Sequence, residues 1–180
     1  MINLEKIYEK SKEFNSKFKD KKVFIVNHTS FYGKIFEKYL TQLSIKDNLN
    51  IEIVGGSREN DFDILNKRDV DFWFYKQADV IIHTGTDFDE LDKKFSPIAE
   101  SYNIVCGVGN LLEKKKPDAV FFYINQGIDS VIDNDLIINA IDLSCNFCQL
   151  FGNTIYFNTD KKNVDEEFLF LLKSLSFYLD

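Results

Sequence analysis

Hydrophobic and polar positions fall into blocks along this chain, and the period of the blocks changes from one to the next. Residues 2 to 18 set Leu4, Ile7, Tyr8, Phe14 and Phe18 at near-helical spacing among Lys and Glu, which predicts an amphipathic helix. An unbroken apolar run, Val23 to Val26, follows and reads as a strand buried on both faces. Thr29 or Ser30 can cap the next helix, where Ile35, Phe36, Tyr39, Leu40 and Leu43 recur at helical intervals. Ile51-Glu52-Ile53-Val54 predicts a second strand, ended by Gly55-Gly56-Ser57. A helix through Ile64 to Gln77 and a third strand, Val80 to Ile82, come after it.

Farther on, a helix is expected from Asp87 to about Tyr102, with Pro97 breaking or kinking it. Ile104 to Val108 reads as a fourth strand and Ala119 to Ile124 as a fifth. A long helix, about Asn134 to Phe151, is stopped by Gly152. Thr154 to Asn158 predicts a sixth strand, and Asp165 to Leu179 a last helix with three acids in its first turn. Strand and helix thus alternate throughout, without linker, repeat or low-complexity tract. The expectation is one α/β domain over residues 1–180: three layers, Rossmann-like, a mainly parallel sheet of five or six strands with helices on both faces.

Composition narrows the function classes. The 180 residues are 44% apolar and 28% charged, which fits a folded domain with a real core. The net charge of −7 argues against non-specific binding to nucleic acid. No apolar run reaches the length of a membrane span, and the charged N-terminus lacks a signal peptide's apolar stretch. With an odd count of three cysteines, the expectation is a cytoplasmic protein with reduced thiols. Cys145 and Cys148 form a CxxC, but it lies deep inside a predicted helix, so these read as core thiols, as does Cys106.

In an open parallel sheet, ligands bind beyond the carboxyl ends of the strands. The chain's two histidines both fall there, His28 after the first strand and His83 after the third. His28, Thr29 and Ser30 begin a helix, where hydroxyls and free amides suit a phosphate or sugar. The glycine spacing of a dinucleotide fingerprint is absent, since only Gly33 appears in that loop. Gly55, Gly56 and Ser57 would let a ligand approach the backbone, and Arg58 could pair with an anion. His83, Gly85 and Thr86 lead into an acidic stretch, Asp87-Phe88-Asp89-Glu90.

The segment Asp69 to Ile82 places Asp71 eight residues before Asp79, which opens a strand. It resembles the matching segment of nucleoside 2-deoxyribosyltransferases and the related deoxynucleotide N-glycosidases, across roughly residues 22–105. That resemblance implies Glu90 as nucleophile on the sugar's anomeric carbon and Asp71 as the group that helps to bind or protonate substrate. The Gly85-Thr86 loop is also similar to that of the phosphoribohydrolases that activate cytokinins, with Asp89 at their Glu position. Both imply cleavage or transfer at a nucleoside or nucleotide N-glycosidic bond, without a cofactor. Two alternatives stand beside this reading: a non-catalytic domain that binds a small ligand or partner, and a metal-dependent enzyme using His28 and His83. The N-terminal helix lies outside the basic α/β unit and offers a surface to a second copy, which would make a homodimer.

Overall fold

A computed structural model describes residues 2–73, 77–86, 96–126 and 133–179. Among them, five strands form one parallel sheet in the order β2-β1-β3-β4-β5. They are β1 (Lys22–Val26), β2 (Glu52–Gly56), β3 (Val80–His83), β4 (Val120–Gln126) and β5 (Thr154–Thr159). The helices are α1 (Leu4–Asn15), α2 (Phe31–Lys46), α3 (Lys67–Phe72), α4 (Pro97–Lys114), α5 (Asp135–Leu150) and α6 (Val164–Ser176). The expected Rossmann-like α/β architecture is therefore present.

Strand side chains alternate between the two faces, and each face makes its own core. Val23, Ile25, Val80, Ile82, Phe122 and Ile124 pack under α1, α2 and α6. Phe24, Val26, Ile81, Phe121 and Tyr123 pack under α3, α4 and α5. The central strands are buried along their full lengths, which is why their sequences run apolar without a break. α1 lies against α6, with the Asn3 N–H donating to the Asp165 carboxylate across 162 residues of chain at 3.0 Å. Leu4, Ile7 and Phe14 are buried in this core, so the helix spends its apolar face on its own chain rather than on a second copy.

One predicted strand does not exist. Residues 104–108 belong to α4, which starts at Pro97 with Ser96 as its cap. Proline opens this helix instead of breaking it, as its fixed φ and missing N–H permit at the first position. The run is apolar because the helix is covered on two sides. Val108, Leu111 and Leu112 face the sheet, while Ile104 packs against Ile137, Ala140 and Ile141 of α5. A helix buried twice and a buried strand look alike over five residues. The helix expected from Ile64 is also shorter, covering only Lys67–Phe72. Among the described residues, no helix is long and apolar enough to cross a membrane.

Candidate functional site

The order β2-β1-β3 reverses the direction of winding between β1 and β3. α2, which follows β1, covers one face, and α4 lies on the other. A crevice must open between them at the carboxyl ends. It does: a cleft of about 300 Å³ lies there. Val26, His83 and Tyr123 line it from β1, β3 and β4. Phe62, Ile64 and Ile104 add apolar wall, and Asn27, Thr29, Arg58, Thr86, Glu100 and Asn103 add polar groups.

His83 sits beside Tyr123 in register, and their rings stack with centroids 5.0 Å apart and planes 16° off parallel. Only 4% of His83 is exposed, and its Nδ1 is buried without a hydrogen-bond partner. Burial pushes the imidazole pKa down to about 3, so the ring is neutral at pH 7. Burial likewise pushes the Tyr123 phenol well above its ordinary range. On the polar side, the Glu100 carboxylate accepts from the Thr86 hydroxyl and, at 3.1 Å, from Asn103 Nδ2. Asn103 Oδ1 in turn accepts from Arg58 at 3.1 Å, and Arg58 stands 3.6 Å from the Asp63 carboxylate.

The neutral histidine gives a stability prediction with a definite sign. Its native pKa is depressed, so below about 6.5 the unfolded chain binds a proton that the native chain does not. Stability is then complete above that pH and falls as pH drops toward 3, by about 1.4 kcal/mol per unit for this one group. His83→Phe keeps a ring on Tyr123 and should flatten the slope between pH 6.5 and 4.5 by roughly that amount. Urea unfolding of both proteins across the range measures it; parallel slopes would refute the assignment.

The residues expected at the site divide into groups. Thr29, Gly56, Ser57, His83, Gly85 and Thr86 do line the cleft. Ser30 is buried instead, in a network with Thr84 Oγ1 at 2.7 Å and Gln126 Nε2 at 3.2 Å, and it caps α2 through the Gly33 N–H. Gly55 and Gly56 are glycines because rings lie over them. A Cβ at Gly55 would stand 2.5 Å from His28 Cγ, and one at Gly56 2.7 Å from Phe62. Ser57 is tied into the turn after β2 through Asn60, whose Oδ1 accepts from the Ser57 N–H at 2.6 Å. His28 packs on Gly55, and among the described residues no group of three His, Cys, Asp or Glu could hold a metal ion.

Asp71 does not line the cleft. Asp71 is 3.2 Å from Lys114, at the last turn of α4, and Asp79 is 3.2 Å from Lys116. α4 enters at the cleft and ends at the far edge of the sheet, so this spaced pair of acids belongs to the amino edge. Burial tends to raise the Asp79 pKa, but hydrogen bonds from the Lys22 N–H and Lys116 outweigh it and hold the carboxyl low. Glu90, with Asp87 and Asp89, lies outside the described residues. The CxxC thiols lie inside α5, where burial raises Cys145 to about 11 and Cys148 to about 12.

Glu100, Asn103 and Tyr123 escaped the sequence reading. Ser96-Pro97 was the available signal, since a cap followed by proline marks a helix start. It puts Glu100 in the first turn at the carboxyl edge.

Neither a family model nor a curated protein matches the chain. A solved structure described as a small-chain dehydrogenase superposes with a TM-score of 0.57, over 86% of this chain and 91% of its own, at 15% identity. At that identity the likeness shows a shared fold, which is Rossmann-like. It also corrects the family resemblance drawn from residues 69–82: the structural neighbour is not a deoxyribosyltransferase. The two acids that carry the resemblance, Asp71 and Asp79, pair instead with Lys114 of α4 and Lys116 in the turn after it.

Proposed function

We propose that this chain is a small-ligand-binding protein and that the cleft at the carboxyl edge takes a nucleoside-sized molecule. The observation that carries this is His83: an almost fully buried imidazole with an unpartnered nitrogen, facing an open cleft. Buried polar groups are normally satisfied, and an exception at a cleft floor is where a ligand can contribute. The surroundings suit a ring bearing hydroxyls. Tyr123, Phe62, Ile64 and Ile104 supply apolar surface, while Asn27, Thr86, Glu100 and Asn103 supply donors and acceptors. The solved structure of similar fold is described as a dehydrogenase, but the loop after β1 here lacks the glycines that let a dinucleotide approach. The ligand would be met in a reducing cytoplasm, where all three cysteines stay free thiols.

Titration calorimetry and thermal unfolding with a panel of ribo- and deoxyribonucleosides test this. A bound nucleoside at one hundred times its Kd should stabilise the fold by about 2.7 kcal/mol. His83→Phe should weaken that nucleoside at least tenfold. Chromatography of the same mixtures should show the nucleoside intact, and release of free base would make the site catalytic instead. If no member of the panel shifts unfolding of the folded protein, the reading fails.

A further inference from the structure

In mononucleotide-binding sheets the amino terminus of the helix after β1 is the natural phosphate seat, because its free amides and dipole favour an anion. Here the chain itself fills that seat. Gln126, fully buried at the end of β4, accepts the Tyr32 N–H through Oε1 at 3.0 Å. Its Nε2 donates to Ser30 Oγ and to the Thr84 carbonyl. Ser30 takes the next two amides: Gly33 N–H on its hydroxyl at 3.2 Å and Lys34 N–H on its carbonyl at 3.0 Å. The neighbours of this plug, Thr29 and Gly85, line the cleft, so the closed helix end borders the ligand space.

The second helix start at the cleft is closed in the same sense. Ser96 caps α4, and its first turn carries Glu100, a carboxylate already matched to the positive end of that helix. Among the described residues that line the cleft, the one cation is Arg58, and Asp63 and Asn103 already engage it. The His83 ring is neutral. An incoming phosphate would therefore meet a fixed negative charge and amides already in use.

Resting on the nucleoside reading above, we propose that the cleft binds the unphosphorylated form of its ligand and disfavours the 5′-monophosphate. Glu100 and Gln126 set that preference, one by repulsion and one by occupying the phosphate seat.

The experiment compares each nucleoside with its 5′-monophosphate by calorimetry on the full chain, with inorganic phosphate as a separate probe. The expected result is a monophosphate at least tenfold weaker than its nucleoside, and no binding of phosphate. Glu100→Gln should shrink that gap threefold or more. Gln126→Ala, checked for its fold by circular dichroism, should raise monophosphate affinity relative to nucleoside. A monophosphate that binds as well as or better than the nucleoside would overturn the preference while leaving the cleft a nucleoside site. A gap that neither variant changes would overturn the roles of Glu100 and Gln126. Binding of neither form would instead sink the nucleoside reading itself.

Discussion

Phe36→Ala should cost this fold about 3–5 kcal/mol, the usual loss for emptying a buried aromatic site. Phe36 is fully buried on α2 and meets two rings edge-on: Phe168 of α6 at 4.8 Å and Phe122 of β4 at 6.3 Å between centroids. It therefore joins two helices and the sheet at one point. Tyr39, one turn along, touches the same Phe168 at 5.5 Å and would be left beside the void. With several elements fixed around the hole, little collapse can refill it. The midpoint of urea unfolding should drop with its slope unchanged, and thermal unfolding should occur roughly 10 °C lower. A loss under about 1 kcal/mol would mean that the helices close over the gap, contrary to the packing described.

Gly85→Ala should cost about 2–4 kcal/mol, by two separate routes. Gly85 has φ of +53°, a left-handed conformation that an alanine adopts only with strain. Its Cβ would also fall 2.6 Å from the Ile124 carbonyl oxygen, a backbone atom that cannot swing away. The residue does not stand alone. Its carbonyl accepts from Asn27 Nδ2 at 2.6 Å, so any shift pulls on the loop after β1 and on Thr86 beside Glu100. Ligand affinity should fall along with stability. Chemical unfolding together with nucleoside titration of this variant measures both. A variant of native stability would show that the turn can relax without its glycine.

Much of the fold was legible because burial wrote itself into period. β1, β3 and β4 are covered on both faces and read as continuous apolar runs, while α1 and α2 show their one-sided stripes. The same logic misled at residues 104–108. α4 is buried against both the sheet and α5, which erased the polar half of its period. The site was legible as a place more than as a set of groups. Strand ends located His83, Gly85 and Thr86, because topology forces ligands to that edge. Glycine and serine alone could not show whether a ligand or the protein fills the space beside them. At Gly55 and Gly56 the filler is His28, Phe62 and Phe24; at Ser30 it is Gln126, almost a hundred residues away. Glu100 was hidden for a further reason: its position depends on where α4 begins, and that start was expected ten residues earlier. Asp71 and Asp79 show the opposite failure. A spacing matched, but spacing along the chain carries no information about which edge of the sheet the acids reach.

The clasp between α1 and α6 has a consequence for how the protein comes into being. α1 is made some 150 residues before α6, yet the apolar stripe it carries is closed partly by Phe168, Leu171, Leu172 and Leu175 of that later helix. At ordinary rates of translation, roughly 5–20 residues per second, α1 waits some ten to thirty seconds for its cover. During that interval Leu4, Ile7 and Phe14 form a sticky segment on a nascent chain. The order of synthesis thus runs against the order of packing, and a holding chaperone would find its binding site on the apolar stripe of α1.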